Sequence, residues 1–366
     1  MTSQLTSEYL PELVSVPGET LQEVLDERGI SQAELAERTG RPKKTINEII
    51  QGKAAITPET ALQLERVLGI PAAFWNNLEG NYRVNQARNL ERAELQKYVD
   101  WLKKLPVTAM VKHGWINKRG DKVDQLQEVL NFFGLASPLR WDEMVESTAF
   151  RKSSAFTVDM GALSAWLRRG EIEGRGMPCR PYNKSGFREV LTQARELTCR
   201  PLPEAFKELQ RRCSEVGVAV VIISELPKTR VNGATRWLSK DKALIQLSLR
   251  YKREDVFWFS FFHEAAHILL HGKRDLFLEG EPGDAEHERE ADDFASNVLL
   301  PARKYRRFSS RSTFPKGQVI EFAVAMGVHP GIVVGRLQHD KLIDFNYLTD
   351  LLRKIDSQSL PTSLAS

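Results

Sequence analysis

The chain has 366 residues, of which 42% are hydrophobic and 27% charged, so wholesale disorder is excluded and two or more domains are expected. Its net charge of +4 is too small to identify a nucleic-acid partner by itself. The three widely spaced cysteines exclude a dense disulfide framework, and neither a secretory signal pattern nor an apolar run of 18 residues occurs. These features favour a cytoplasmic protein with no membrane partner.

Four regions follow one another along the chain. In the first, residues 1–90, glycines divide the sequence into short helical segments. Residues 91–200 mix amphipathic helical patterns with Gly/Pro-rich joints, and we interpret them as a helical connector. Residues 201–345 begin with a helix, continue into three strand-like runs and return to helices, and residues 346–366 form a polar C-terminal tail.

The first region contains a regular succession of helix starts and stops. Ser31 and Glu34 have the spacing of a capping box, and Gly40 permits a tight turn after the helix that they begin. The next segment, KKTINEIIQ, places its isoleucines on one helical face and its polar residues on the other. Thr57 followed by Pro58 then predicts the start of another helix.

This succession, over about residues 17 to 70, resembles the Xre/Cro-type helix-turn-helix family, and LGIPAAFWNNLEGNYR is similar to its HigA antitoxin-like subgroup. The resemblance implies a dimer that binds paired half-sites in double-stranded DNA. A cluster of polar and basic residues surrounds the expected recognition helix. We predict that DNA is contacted by Gln32, Arg41, Lys43, Lys44, Thr45, Asn47 and Lys53. The alternative is that these residues form a solvated surface on a packing unit.

The segment FWFSFFHEAAHILLH carries a His-Glu-x-x-His motif at His263, Glu264 and His267. Residues four apart share a helical face, so both imidazoles can bind one metal ion while Glu264 reaches a water molecule beside it. Zinc in such a site needs a third protein ligand and one open position. The motif therefore predicts a catalytic zinc site with Glu264 as the general base.

Several residues compete for the position of third ligand. His271 shares the face but stands about 12 Å along the helix axis from His263, which is too far for one ion. In the next helix, EHEREADDFASNVLLP, Glu288 and Asp292 lie four residues apart on one face with small residues beside them. Glu288 is our predicted ligand, Asp292 is the predicted partner of a ligating imidazole, and Glu290 is the second choice for the ligand.

These two segments together resemble the ImmA/IrrE-type metallo-endopeptidases, and the resemblance extends over about residues 200 to 345. It implies a gluzincin-like zinc peptidase in which the first Glu of Glu-x-x-x-Asp, Glu288 here, is the ligand. An extended substrate could pair with an edge strand near Gly233 to Leu238. Tyr305 and Arg236 are candidates for stabilising the oxyanion.

The predicted fold is multidomain and mainly α, with a five-helix helix-turn-helix domain, a small β-sheet and an α+β peptidase domain. Three functions fit it. The first is a DNA-binding regulator that cleaves a repressor-like protein or itself. The second is a HigA-like antitoxin and autorepressor that sequesters a toxin, with a metal-binding domain that does not cleave. The third is a regulator whose C-terminal domain senses a ligand or metal.

Overall fold

The computed structural model describes residues 15–147, 159–272, 277–278 and 285–356. The chain divides into two units, Met1–Tyr98 and Val99–Ser366. Most of the described residues are helical and one small sheet lies in the second unit, which confirms the predicted fold class. The predicted boundaries at residues 90, 200 and 345 stay predictions.

The first unit contains the five expected helices. They are α1 (Pro17–Arg28), α2 (Gln32–Thr39), α3 (Lys43–Ile50), α4 (Pro58–Leu68) and α5 (Ala72–Leu95). Their ends follow from the predicted local signals, because the Ser31 hydroxyl accepts a hydrogen bond from the Glu34 N–H at 3.1 Å. Gly40 ends α2 in the left-handed conformation at φ 69°.

Helices α1 and α3 approach each other closely at Gly18. A Cβ atom at this position would lie 2.3 Å from the carbonyl oxygens of Ile49 and Ile50. Only glycine therefore fits without moving the backbone. The core beneath this contact includes Leu21, Ile46 and Trp75, which are all buried.

The second unit contains eleven α-helices and four strands among the described residues. Its helices are α6 (Val107–Lys112), α7 (Lys122–Phe133), α8 (Pro138–Ser147), α9 (Met160–Gly176), α10 (Lys184–Ala194), α11 (Leu202–Ser214), α12 (Glu254–Leu270), α13 (Ala285–Leu299), α14 (Ala302–Ser309), α15 (Lys316–Met326) and α16 (Pro330–His339). Its strands are β1 (Val218–Ile222), β2 (Gly233–Ser239), β3 (Lys242–Leu247) and β4 (Phe277–Leu278). The described residues also include 3-10 helices at Gln96–Lys104, Arg195–Cys199 and Thr349–Leu351.

The sheet has the strand order β1-β3-β2-β4, with β1 and β3 parallel and the other pairs antiparallel. Alternate residues face opposite sides, so that Val218 and Val220 join the core on one face and Ala219 and Val221 the core on the other. Helices α11 and α12 contribute to the first core and α9 to the second. The sheet is therefore a middle layer that supports α12.

Helix α9 is bound to the sheet by hydrogen bonds as well as by apolar contacts. The Trp166 indole donates to the Ile223 carbonyl at 2.9 Å, and the Gln246 amide donates to the Trp166 carbonyl at 2.7 Å. Gly170 permits this packing, because a Cβ there would overlap the Gln246 side chain. Residues 160–176, which the sequence assigned to a connector, thus cover one face of the sheet.

The sequence predicted that β2 is an edge strand. This is wrong at two of its residues, which pair with a further strand, β4. Ala234 pairs with Leu278 and Thr235 with Phe277 of β4, while β3 lies on the other side of β2. The sequence could not indicate β4, since a two-residue strand has no periodicity of its own.

Within the described ranges, no single helix is long and apolar enough to cross a membrane. Helices α15 and α16 pass the same test only as a pair, bent by 112°. All three cysteines, Cys179, Cys199 and Cys213, are free thiols.

Candidate metal centre and nucleic-acid interface

Helix α12 buries the three residues of the His-Glu-x-x-His motif. His263, Glu264 and His267 are between 0% and 3% exposed, because this helix is apolar around its whole circumference and packs between the sheet and other helices. Helix α13 packs alongside it through Ala291 and Ala295, which are fully buried. Small residues at this contact bring the acidic side chains of α13 close to the histidines.

Two imidazoles and one carboxylate converge between these helices. The Nε2 atoms of His263 and His267 lie 3.2 Å apart. The carboxylate of Glu288 lies 3.5 Å from the first nitrogen and 3.4 Å from the second. One ligand atom from each residue falls within 4.8 Å of the others. This donor set is one that zinc takes in catalytic sites, so the residues fit a divalent cation.

The electrostatic environment also favours a cation. Burial opposes protonation of His263, but hydrogen bonds to Asp292 and Glu288, together with the charge of Glu264, raise the pKa of His263 to about 11. Three carboxylates therefore act on two imidazoles that are themselves almost fully buried. A metal ion would compensate their charge as a proton does.

The other ring nitrogen of each histidine has its own partner. His263 Nδ1 lies 2.9 Å from the Asp292 carboxylate, whereas His267 Nδ1 lies 2.9 Å from Nδ1 of His271. His271 in turn contacts Glu290 through Nε2 at 3.0 Å. Such partners fix the tautomer and the orientation of a ligating imidazole.

Glu264 is held on the opposite side by β2. Its Oε2 accepts a hydrogen bond from the buried hydroxyl of Thr235 at 2.7 Å. A Cβ at Gly233 would lie 2.6 Å from Glu264 Oε1, so a larger residue there would displace the carboxylate. The side chain of Glu264 thus has a defined orientation without acting as one of the three converging ligands.

Sequence reasoning missed some of these contacts. It did not find the roles of Thr235 and Gly233, which depend on the packing of the sheet against α12. The four-residue spacing of His267 and His271 is a signal for their contact, since residues four apart share a helical face. The two oxyanion candidates have polar partners elsewhere, since Arg236 pairs with Glu171 at 3.4 Å and the Tyr305 hydroxyl donates to Asp340 at 2.8 Å.

The predicted DNA-contacting residues lie on or beside α2 and α3. Lys43, Lys44 and Lys53 are exposed, while Gln32, Arg41, Thr45 and Asn47 are partly buried.

Two of the partly buried groups link elements of the motif. The Asn47 amide donates to Gln32 at 3.4 Å, and Arg41 donates to Gln63 at 2.5 Å. The exposed Lys43 and Lys44 make the N-terminal end of α3 basic.

The fold and the converging ligands define a helix-turn-helix protein with a second unit of the metallopeptidase type. The Helix-turn-helix family model matches residues 21–75, and the model of the IrrE N-terminal-like domain, a peptidase family, matches residues 213–337. The chain therefore belongs to the helix-turn-helix transcriptional regulators, and its C-terminal unit contains an IrrE-like domain of a peptidase family.

Relatives of known sequence match about a fifth of the chain. The HTH-type transcriptional regulator YddM of Escherichia coli (strain K12) is 33% identical over 84 residues, which are 23% of this chain and 89% of YddM. Virulence-associated protein I of Dichelobacter nodosus is 38% identical over 72 residues, or 19% of this chain and 67% of that protein.

A solved structure aligns with a similar share of the chain. It is a putative antidote protein of a plasmid maintenance system from Nostoc punctiforme, with 31% identity, a TM-score of 0.23 and coverage of 23% of this chain and 92% of that one.

Proposed function

We propose that this chain is a DNA-binding regulator whose C-terminal unit is a zinc-dependent endopeptidase that cleaves a regulatory protein or itself. The observation that carries the proposal is Glu264, a buried carboxylate oriented by Thr235 beside His263, His267 and Glu288. A structural zinc site needs no general base, whereas hydrolysis of a peptide bond does.

Each residue of the site has its own role in the proposed reaction. His263, His267 and Glu288 would hold the zinc, and Asp292 and His271 would orient the two imidazoles. When bound, zinc polarises the scissile carbonyl and makes a water molecule more acidic. Glu264 accepts the proton of the attacking water on its carboxylate and delivers it to the leaving amine nitrogen. Thr235 keeps the carboxylate in place by donating to Oε2.

The first experiment measures zinc content and cleavage in the same preparations. Wild type and Glu264→Gln should each contain about one zinc per chain. Mass spectrometry after incubation with proteins encoded by adjacent genes should detect products with wild type alone. Glu288→Ala should lose the zinc and Glu290→Ala should retain more of it. Cleavage by Glu264→Gln at the wild-type rate would exclude the proposed base.

For the N-terminal unit we propose that a homodimer binds a double-stranded operator in the cytoplasm. The exposed lysines of α3 would contact phosphates, and Asn47 would reach a base edge in the major groove. Asn47 and Gln32 are already in contact, so α2 would support the reading residue.

A triple substitution tests this interface on DNA from upstream of the gene itself. Lys43→Ala, Lys44→Ala and Asn47→Ala together should weaken binding and reduce the salt slope by about two, since each phosphate contact contributes close to one unit. Arg66→Ala, an exposed change on α4, is the matched control. An unchanged affinity and slope in the triple variant would reject the assignment of α3.

The second candidate function is the HigA-like antitoxin and autorepressor, favoured by the sequence of residues 68–83. This function uses the same metal ligands and the same operator binding as the first proposal, but it requires no cleavage of a peptide bond. Zinc in wild type and in Glu264→Gln, with no product from any protein of neighbouring genes or from the chain itself, is the result that this alternative expects.

A further inference from the structure

A basic cleft lies in the C-terminal unit, between the end of α6 and the connection from β1 to β2. Its volume is about 420 Å³, within the range of small-molecule sites. Six of its lining residues carry titratable side chains: Lys112, His113, Glu225, Lys228, Arg230 and Arg250. None of them belongs to the metal centre, so the basic cleft is a separate site.

Positive charge dominates this cleft. Four side chains are cationic and one is a carboxylate, while burial and the charge of Lys112 lower the pKa of His113. Lys112 and Lys228 form no ion pair with any carboxylate in the described part of the chain. Arg250 donates to the carbonyl of Arg230 at 2.9 Å. Several positive charges around one cleft attract anions.

The backbone holds the basic residues at the cleft. Lys228 and Arg230 both adopt left-handed conformations, with φ of 71° and 54°. Thr229 lies between them, is fully buried and bonds to the Leu226 carbonyl through both its N–H and its hydroxyl. Non-glycine residues in this conformation are strained and are found where their placement matters. The turn therefore anchors its middle residue while both neighbours line the cleft.

Glu225 makes the site more specific than a basic surface. Its Oε2 is buried and has no hydrogen-bond partner among the described residues. Burial raises the pKa of Glu225, and the charges of Arg250 and Lys252 oppose this effect. A buried acceptor without a donor is costly unless a ligand supplies one. A carboxylate at this place also disfavours duplex DNA, which presents phosphates and no donors along its backbone.

We propose that the basic cleft binds a phosphorylated small molecule that carries hydroxyl groups, of the class of nucleoside phosphates. The cationic side chains contact the phosphate, and Glu225 accepts a hydrogen bond from a sugar hydroxyl. This site goes beyond the proposed peptidase and operator functions, and it gives the C-terminal unit a place to receive a small-molecule signal.

Calorimetric titration of the full chain with adenosine monophosphate at low salt tests the proposal. Saturable binding is expected, and Lys228→Glu should weaken it about tenfold or more, because a repulsive charge replaces an attractive one. Lys207→Glu makes the same charge change on the exposed face of α11 and should leave the affinity within about twofold. Equal losses in both variants, or no binding up to about 10 mM, overturn the proposal.

The variant Glu225→Gln tests recognition of the phosphate and of the sugar hydroxyl independently. Inorganic phosphate should bind this variant more tightly than wild type, because a repelling carboxylate is removed. In Glu225→Gln, adenosine monophosphate and its 2′,3′-dideoxy analogue should bind with similar affinity, because a neutral amide has replaced the charged acceptor of the sugar hydroxyl. If wild type binds free phosphate as tightly as the nucleotide, or if duplex DNA displaces the nucleotide from the cleft, the assignment of the ligand is wrong.

Discussion

Gly233 is the residue whose size most directly controls the candidate active site. Its backbone lies so close to Glu264 that an added Cβ would come within 2.6 Å of Oε1 and 2.7 Å of Cγ. None of the three converging ligands is in this contact.

We predict that Gly233→Ala retains zinc but loses about a hundredfold in cleavage rate, because a displacement of about 1 Å at a reacting group has this effect. Gly317→Ala is the control, since a Cβ there meets nothing within 4 Å. Metal analysis and a cleavage assay on the same samples check the prediction. Loss of zinc together with activity would show that the residue supports the fold of the site instead.

His271 is a second residue whose substitution should change the candidate metal centre. Its side chain is 1% exposed and lies between His267 and Glu290, with the ring of His287 4.3 Å away. We predict that His271→Ala weakens zinc binding about 10- to 100-fold, the usual effect of removing the outer partner of a ligating imidazole.

Competition with a zinc chelator measures this change. Leu270→Ala, at the exposed neighbouring position, should bind zinc like wild type. If the two variants hold zinc equally well, the His267–His271 contact does not orient the ligand.

At the level of elements, helix α16 begins with an unusual cap. The Nδ1 atom of His329 accepts a hydrogen bond from the Gly331 N–H at 3.1 Å, which requires an unprotonated nitrogen. Burial, with a smaller effect of the Arg353 charge, lowers the pKa of His329 to about 4. In the unfolded chain the same group has a pKa of about 6.5.

The stability of the C-terminal unit should therefore fall as the pH decreases from about 6.5 to about 4, because the unfolded chain takes up a proton that the folded one does not. His329→Asn can still cap the helix and should remove this part of the pH dependence. Urea unfolding at several pH values compares the two proteins, with His339→Asn as a control at an exposed position. Parallel curves for wild type and His329→Asn would contradict the prediction.

The sequence predicted the elements that have strong local signals and missed those that depend on distant partners. The three strands and helices α12 and α13 are confirmed, because their apolar patterns are local. Strand β4 exists only through its pairing with β2. The packing of α9 on the sheet depends on Gly170 and Trp166, which have no periodic signal of their own.

At the level of the whole molecule, the two units have separate cores. Buried residues from Leu21 to Trp75 form one, and the clusters on the two faces of the sheet use residues from Leu163 onward. The C-terminal unit depends on α9, whose Leu163, Trp166 and Leu167 cover one face of the sheet.

We therefore predict that a fragment of residues 99–366 folds, whereas a fragment of residues 201–366 does not. Without α9, the fragment of residues 201–366 exposes the sheet residues that this helix covers, among them Val221, Ile223 and Leu244. Exposing three such side chains costs about 1.5–3 kcal/mol each, a large part of the 5–15 kcal/mol that typically stabilises a domain. Size-exclusion chromatography and near-UV circular dichroism distinguish a folded fragment from an aggregated one. A soluble, cooperatively unfolding fragment of residues 201–366 would support the shorter domain predicted from the sequence.

The close approach of α1 and α3 at Gly18 has a genetic consequence. Since its crowded neighbours all belong to the N-terminal unit, an allele encoding Gly18→Val should abolish operator occupancy while the C-terminal unit is still made in folded form. The phenotype of such a strain would assign each cellular role to one half of the protein. A complementing copy that encodes only residues 99–366 would then show whether the two halves must be physically joined to act.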